Sequence, residues 1–220
     1  MFTARPIRNT RKKLRNISGI KMKYLEDLEQ SALDRDIPIM QRAGLEELIS
    51  ELLKHQSSTV LEIGSAIGYS ALMMVNNVDN LKVETIERDD ERYLEAHQNI
   101  HDYHQDDHII LHHDDALLMS TEELQAAPYD CLFIDAAKAQ YQKFFEKYIP
   151  YVKKDGFVFV DNLDFHGMIY DIDHIRNRNT RALVRKIKRF RDWIKNNDLY
   201  DVEYREIGDG ICIITRKDFE

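Results

Sequence analysis

The sequence predicts an α/β fold: a mostly parallel sheet of seven strands with helices on both faces and a C-terminal antiparallel hairpin. Short apolar strands alternate with helical segments between residues 58 and 162, which is typical of a parallel sheet covered on both faces. Two further strands flank Gly208-Asp209-Gly210, and Asp-Gly is a hairpin signal. A hydrophobic content of 43% in 220 residues is sufficient for one packed domain.

The elements follow from hydrophobic periodicity and from Gly and Pro positions. Two helices precede the sheet, at 23–36 and at 37–56, and Pro38 is expected near the first turn of the second. Five strands are predicted at 58–63, 81–87, 108–113, 129–135 and 156–162, with helices between them at 69–78, 90–104, 116–125 and 140–152. A long basic helix at roughly 174–196 and closing strands at 200–208 and 211–217 complete the chain.

The chain has no internal repeat and no linker rich in Gly, Ser or Pro. We therefore predict a single domain at 24–220, preceded by a basic arm at 1–23 whose order the sequence leaves open. No apolar run is long enough to span a bilayer, and the N-terminus lacks the apolar core of a secretory signal. Cys131 and Cys212 lie in apolar runs without CxxC spacing. These features predict a cytoplasmic protein with two buried thiols and no membrane partner.

The net charge of −8 conceals two basic segments. Residues 1–23 carry eight Lys and Arg and no acid, and residues 176–195 carry nine and a single acid. Only 14 of the 31 basic residues are left for the remainder, which holds 38 of the 39 acidic ones. Local basic patches on an acidic body indicate an anionic partner such as a phosphate backbone. A solvated helix face and a tail without a partner would produce the same pattern.

Polar residues mark the carboxyl ends of all five predicted parallel strands. Ligands of such sheets bind beyond those ends, near the switch in strand order, so these residues are expected to share one cleft. They are Glu62, Glu87, the pair Asp114-Asp115, Asp135 and the pair Asp161-Asn162.

The first of these strand ends predicts the ligand. Gly64 and Gly68 follow Glu62, and glycines allow a tight turn and close approach of a ligand. The spacing E-x-G-x-x-x-G differs from the G-x-G-x-x-G of dinucleotide sites, and Glu62 would repel a pyrophosphate. Glu87 ends the second strand, where a carboxylate can accept hydrogen bonds from both ribose hydroxyls. An adenosine that also carries positive charge indicates S-adenosylmethionine.

Asp135, Asp161 and Asn162 offer three hard oxygen ligands at adjacent strand ends. With no His or Cys among them, they favour Mg²⁺ over Zn²⁺, although an Asp-Asn pair can also cap a helix. Lys138 follows Asp135 by three residues. Repulsion from a nearby divalent cation would favour its neutral form, which makes it a candidate general base; the alternative is a surface lysine.

These motifs resemble class I, metal-dependent O-methyltransferases of the catechol and caffeoyl-CoA type. The matching segments are VLEIGSAIGYSALMM, TIERD, DDALL, CLFIDAAKAQY, VFVDNLDFHG and GDGICI. Within that superfamily, IPIMQRAG, IDAAKAQYQKFF, DNLDFHG and the basic helix are most similar to bacterial tRNA 5-hydroxyuridine methyltransferases. The resemblance spans roughly residues 24–217 and implies a Rossmann-like class I methyltransferase fold.

The resemblance also implies roles for individual residues and an assembly. Asp135, Asp161 and Asn162 match magnesium ligands, Lys138 with Asp135 matches the catalytic aspartate-x-x-lysine motif, and a homodimer is expected. Asp114 departs from the family, which has glycine before Asp115. The implied S-adenosylmethionine contacts are Met40, Glu62, Gly64, Ser70, Glu87, Asp115, Ala116 and Asp135.

The predicted acceptor is the 5-hydroxyl of 5-hydroxyuridine in a tRNA anticodon loop, with the basic helix holding phosphates. The phosphate-binding candidates are Arg176, Arg178, Arg181, Arg185 and Lys188. Three alternatives remain: an O-methyltransferase of small vicinal diols, a catalytically silent RNA-binding module, and a nicotinamide enzyme. The glycine spacing argues against the third. The second is disfavoured by five intact polar residues: Glu62, Glu87, Asp135, Asp161 and Asn162.

Overall fold

The computed structural model describes residues 22–217 and confirms the predicted fold class. The central sheet has seven strands in the order β3-β2-β1-β4-β5-β7-β6. Strands β1 to β5 are parallel, while β7 runs antiparallel to both β5 and β6. The strands are β1 Thr59–Ile63, β2 Lys82–Glu87, β3 Ile109–His113, β4 Tyr129–Ile134, β5 Val152–Val160, β6 Tyr200–Arg205 and β7 Ile211–Arg216.

Six α-helices cover the two faces of the sheet within the described residues. They are α1 Glu26–Asp34, α2 Arg42–Lys54, α3 Tyr69–Asn77, α4 Asp90–Asp102, α5 Tyr141–Tyr148 and α6 Arg178–Lys195. Successive residues of a strand point to opposite faces, so Cys131 and Phe133 of β4 pack in the core of α1 to α4. Leu132 and Ile134 pack on the other face, against α5 and α6.

Three sequence predictions concern features away from the predicted cleft: the two thiols, the lack of a membrane-spanning segment and the basic arm. Both cysteines are buried free thiols, as predicted. Among residues 22–217, no helix has the length and apolar character that crossing a bilayer requires. The predicted basic arm at 1–23 lies outside the described residues, except for Met22 and Lys23.

Pro38 does not open the second helix, contrary to prediction. Helix α2 begins at Arg42, after Gln41, whose φ of −64° and ψ of 141° are extended. Pro38 and Met40 instead belong to a loop that lines the cleft described below. The apolar residues at 37–41 therefore belong to a loop before the helix, and their side chains pack without helical hydrogen bonds.

The helix predicted at 116–125 is wrong. The segment forms only a turn after Asp115 and a single 3₁₀ turn at Thr121–Glu123. Side chains of α5 take the carbonyl groups that a helix would use: Lys147 Nζ donates to the oxygens of Ala116 and Met119 at 2.8 and 2.6 Å. Ser120 is extended, with ψ of 134°, which ends the turn.

The basic helix begins later than predicted. Asn177 caps α6, since its side chain accepts hydrogen bonds from the amides of Asn179 and Thr180. Residues 168–170 and 172–174 form 3₁₀ turns before it. Arg176 consequently precedes the helix, whereas the other four candidate phosphate-binding residues lie on it.

Candidate functional site

A cleft of about 390 Å³ lies at the carboxyl ends of the parallel strands. It opens where the strand order changes direction between β1 and β4, the position at which doubly wound sheets bind ligands. The walls come from the loop before α2, the loops after β1 to β5, and α6. Among the predicted cofactor residues, the lining includes Met40, Gly64, Ser70, Glu87, Asp115, Ala116 and Asp135.

Gly64 is required by the close approach of two strand-end loops. Its φ is +98°, and a Cβ atom there would lie 2.3 Å from the carbonyl oxygen of Asp135. The amide of Asp135 in turn donates to the carbonyl of Ile63 at 3.1 Å. The absence of a side chain at Gly64 therefore lets the loops after β1 and β4 lie against each other and form one wall of the cleft.

Glu87 is held rigidly at the end of β2. One carboxylate oxygen accepts a hydrogen bond from the amide of Ala66 at 2.8 Å, and the other accepts from the amides of Arg88 and Asp89 at 2.9 Å each. Backbone donors thus fix a carboxylate at the cleft wall while leaving acceptor capacity on both oxygens. This geometry fits recognition of the two hydroxyls of a ribose.

Glu62 does not line the cleft. Its side chain is fully buried behind Ser70, whose hydroxyl donates to it, and Thr85 Oγ1 donates to its other oxygen at 2.6 Å. Burial raises the pKa of Glu62 to about 7, against the opposing effect of these two hydroxyl groups. Ser70, rather than Glu62, lines the cleft at this point.

The loop after β3 is ordered by its own acids. Asp114 Oδ1 accepts from the amide of Asp115 at 2.6 Å, and Asp115 Oδ1 accepts from the amide of Leu117 at 2.8 Å. Asp115 Oδ2 also faces Arg88 at 3.3 Å. The unexpected Asp114 therefore stabilises the turn that presents Asp115 and Ala116 to the cleft.

The three candidate metal ligands converge at the ends of β4 and β5. Asn162 Nδ2 donates to Asp135 Oδ1 and to Asp161 Oδ2, both at 2.9 Å. Burial raises the pKa of both carboxyl groups, and for Asp161 the charge of Asp135 raises it further. A buried carboxylate at Asp161 and a half-buried one at Asp135, which repel each other, fit a divalent cation.

The fit to Mg²⁺ rests on two carboxylates and an amide. Within residues 22–217, no three His, Cys, Asp or Glu side chains are grouped so as to hold a metal ion. Asn162 would have to turn its amide so that the oxygen, rather than the nitrogen, faces a cation. The backbone of Asn162 is left-handed, with a φ of +63°, and this conformation places the side chain between Asp135 and Asp161.

Lys138 lies on the cleft wall at the start of a 3₁₀ turn. Burial lowers its pKa, while the carboxylates of Asp135, Asp209 and Asp161 oppose that effect. Its Nζ is 5.1 Å from the centroid of the Phe165 ring. The lysine is thus a half-buried cleft residue rather than a surface lysine, and desolvation favours its neutral amine.

Sequence reasoning did not single out the apolar side of the cleft or the acid behind it. Phe144, Phe165 and Leu183 line the cleft from three separate elements, and apolar residues in helices or loops carry no local signal of such a role. From its sequence context, Asp209 is predicted only to be a turn residue. It is in fact 5% exposed, and its Oδ2 has no hydrogen-bond partner among the described residues.

The basic residues of α6 lie on the helix that also contributes Leu183 to the cleft. Arg178 and Arg185 are exposed, while Arg181 is half-buried and donates through Nε to the carbonyl of Ile175 at 2.9 Å. Lys188 pairs with Asp192 at 3.2 Å. Their spacing of three, four and three residues places these four cations on one side of the helix.

Comparisons with known proteins show the family of the chain and the folds that it is similar to. The O-methyltransferase family model matches residues 15–217. The chain is 35% identical to a "putative caffeoyl-CoA O-methyltransferase" of Staphylococcus aureus, with a TM-score of 0.84 over 87% of this chain and 91% of that one. It shares its fold with a Bacillus cereus O-methyltransferase in complex with SAH, at 22% identity and a TM-score of 0.73 over 87% and 90% of the two chains.

One curated relative matches over a shorter span. The "Probable caffeoyl-CoA O-methyltransferase 2" of Dictyostelium discoideum is 31% identical over 88 residues. That match covers 40% of this chain and 36% of the relative.

Proposed function

The chain belongs to the O-methyltransferase family and is an S-adenosylmethionine-dependent O-methyltransferase, and on this premise we propose that its acceptor is tRNA. In the proposed reaction, the 5-hydroxyl of 5-hydroxyuridine in the anticodon loop receives the methyl group, giving 5-methoxyuridine. The observation that carries this proposal is the basic side of α6, because the same helix forms part of the cleft wall.

The cofactor would occupy the side of the cleft formed by the loops after β1, β2 and β3. Glu87 would accept hydrogen bonds from the ribose, while Asp115 and Ala116 would lie against the adenine. Met40, Gly64 and Ser70 would surround the methionine portion, with Glu62 behind Ser70 and Asp135 at the far wall. These assignments follow from the family resemblance and from the placement of the residues around one cleft.

Asp135, Asp161 and Asn162 would hold Mg²⁺ next to the acceptor. A bound Mg²⁺ would lower the pKa of the acceptor hydroxyl. Lys138 would take the hydroxyl proton on Nζ, and burial prepares it for this by favouring the neutral amine. The cleft walls would hold the acceptor oxygen in line with the carbon–sulfur bond that breaks, and such positioning supplies much of the acceleration.

The basic side of α6 supports a nucleic-acid acceptor over a small molecule. Of the four cations on it, Lys188 alone is ion-paired to a carboxylate among the described residues. Arg178 and Arg185 therefore remain available for backbone phosphates, together with Arg176 just before the helix. A single-stranded loop allows one base to be splayed into the cleft while phosphates bind outside.

The alternative acceptor is a small vicinal diol of the catechol or caffeoyl-CoA kind. It would use the same catalytic residues, and the caffeoyl-CoA names of the similar proteins favour it. A free catechol differs from tRNA in what it requires of α6, because it carries no phosphate for the exposed arginines to bind, whereas the phosphates of a CoA ester could also use them.

Nucleoside mass spectrometry separates these acceptors. The protein would be incubated with S-adenosylmethionine, Mg²⁺ and tRNA bearing 5-hydroxyuridine, with and without EDTA, and in parallel with catechol. We expect the nucleoside to gain one methyl group only when Mg²⁺ is present. Methylation of catechol but not of tRNA would refute the tRNA proposal, and methylation of tRNA undiminished by EDTA would refute the metal role.

Assembly and location complete the proposal. We propose a homodimer, as the family resemblance implies, which sedimentation velocity would test directly. The two buried free thiols support a cytoplasmic location, because reduced cysteines are typical of that compartment.

A further inference from the structure

Asp209 lies in the turn between β6 and β7 and contacts the segment that follows the candidate metal ligands. The amide of Asp164 donates to the carbonyl of Asp209, and the amide of Leu163 donates to the carbonyl of Gly210, both at 2.8 Å. The side chain of Asp209 accepts a hydrogen bond from the amide of His166. One short turn therefore binds three backbone donors of a single segment.

That segment has a backbone that needs external support. Phe165, His166 and Gly167 have consecutive φ values of +46°, +55° and +76°. Side-chain-bearing residues rarely adopt this left-handed conformation, and they persist in it only where the surroundings hold them. Arg191 Nη1 holds the start of the segment by donating to Leu163 O and Asp164 Oδ1 at 3.3 and 2.7 Å, and the amide of Met168 donates to the carbonyl of Phe165 at 3.0 Å. The contacts with the 208–210 turn add to this support.

The turn is shaped so that it fits against the segment. Gly210 has a φ of +80°, and a Cβ atom there would lie 2.4 Å from Cγ of Asp164. Gly208 also has a positive φ, +60°. Asp209 between them is directed inward and is 5% exposed, with His166 Nδ1 at 3.5 Å from its Oδ1.

The clamped segment forms part of the proposed acceptor side of the cleft. It follows Asn162 directly, and its Phe165 lines the cleft beside Lys138. We propose that Asp209 is a positioning residue: its carboxylate clamps residues 163–167 and thereby fixes Phe165 and Asn162 relative to Lys138. The kinetic part of this inference rests on the proposed acceptor site, whereas the clamp itself does not.

Hydrogen exchange measured by mass spectrometry tests the clamp without any substrate. In Asp209→Ala, the amides of 163–168 should exchange about tenfold faster or more, with those of β4 unchanged. Asp209→Asn keeps an oxygen that can accept from the His166 amide, and it should retain protection. Asp201→Ala is the control, since Asp201 is exposed on β6 of the same hairpin. Equal exchange in Asp209→Ala and the wild type would overturn the proposal.

Steady-state kinetics test the consequence for turnover, with 5-hydroxyuridine tRNA and with catechol as acceptors. Asp209→Ala should lower kcat/KM for the methylated acceptor by about 10- to 100-fold, because misplacement of about 1 Å can have that effect. The calorimetric Kd for S-adenosylmethionine should stay within about twofold, and Asp209→Asn should recover most activity. Unchanged acceptor kinetics, or an Asp209→Asn variant as impaired as the alanine variant, would overturn the positioning role.

If neither acceptor is methylated by the wild type, the proposed function fails while hydrogen exchange still decides the clamp. If Asp209→Ala does not fold, Gly210→Ala perturbs the same contact through Asp164. It should then accelerate exchange at 163–168, and normal protection there would refute the clamp.

Discussion

Replacement of Glu84 by alanine should cause one of the largest losses of stability available in this chain. Glu84 is fully buried on β2, outside the cleft. Its two oxygens accept hydrogen bonds from Tyr129 Oη and His112 Nε2 at 2.6 Å each, and from the amides of Gln125 and Ala126 at 2.8–3.0 Å. The carboxylate thus ties the irregular segment before β4 to the centre of the sheet.

The expected loss of stability comes from the hydrogen-bond donors that would have no acceptor in Glu84→Ala. Tyr129 is fully buried, so its hydroxyl would lose its acceptor at about 1–3 kcal/mol. The amide of Ala126 and the ring of His112 are partly accessible to water, and each adds about 1 kcal/mol. We therefore expect Glu84→Ala to lower the free energy of unfolding by about 3–5 kcal/mol.

Glu84→Gln is the matched comparison. The amide oxygen can still accept from Tyr129 and Ala126, while the amide nitrogen can face His112, whose neutral ring can accept through Nε2. The expected loss is about 1 kcal/mol. Loss of the carboxyl group's ionisation should also change the acid response of the protein.

The direction of that acid response follows from the pKa of Glu84. Burial alone would raise this pKa, but the hydrogen bonds from His112, Tyr129 and two backbone amides outweigh burial, so it lies below the ordinary 4.5. Glu84 therefore stabilises the folded state fully at pH values above its unfolded-state pKa. This stabilisation is lost as the pH falls through its folded-state pKa, which is lower. Glu84→Gln should lack this acid-induced loss.

Urea unfolding followed by fluorescence is the assay. Trp193 is the only tryptophan, and it packs edge-to-face against Phe145 with ring centroids 5.6 Å apart. Both variants should keep the wild-type m-value, so that midpoint shifts report stability. Equal losses in the alanine and glutamine variants would show that the hydrogen bonds do not set the stability here, and would refute the reasoning.

Three further outcomes are expected. The pKa of Asp130 is held at about 2, because its hydrogen bonds outweigh burial. Its contribution to the free energy of unfolding, about 1–2 kcal/mol after solvent screening, should vanish as the pH falls from about 4 towards 2. Urea unfolding should show no such acid-induced loss in Asp130→Asn. Gly64→Ala should abolish S-adenosylmethionine binding in calorimetry or lower the melting temperature, since its Cβ would lie 2.3 Å from a backbone oxygen; normal binding and stability would contradict the close approach. Arg178→Ala with Arg185→Ala should weaken tRNA binding and reduce the slope of log K against log salt by about 1.4. Lys82→Ala, at the exposed amino end of β2 and away from the cleft, should leave that slope nearly unchanged. An unaltered slope in the double variant would remove these arginines from the interface.

Elements with strong periodicity were predictable from the sequence, and irregular ones were not. The five parallel strands and the closing hairpin appear within a few residues of their predicted bounds, because short apolar runs separated by helical segments leave a clear pattern. The helix expected at 116–125 is absent, since Lys147 and Tyr148 of α5 take the carbonyl of Ala116 at 2.8 and 2.6 Å. A donor from a distant part of the chain leaves no local signal.

By itself, the sequence determined the sheet, the strand-end position of the cleft and the polar groups at its edge, because strand patterns and glycine turns are local properties of the chain. Tertiary structure alone decided which of those groups face a ligand. In the folded chain Glu62 lies behind Ser70, Asn162 lies between two carboxylates, and Asp209 contacts the loop at 163–167. These relations depend on the packing of segments far apart in the sequence, where burial and hydrogen-bond partners are set by the whole fold.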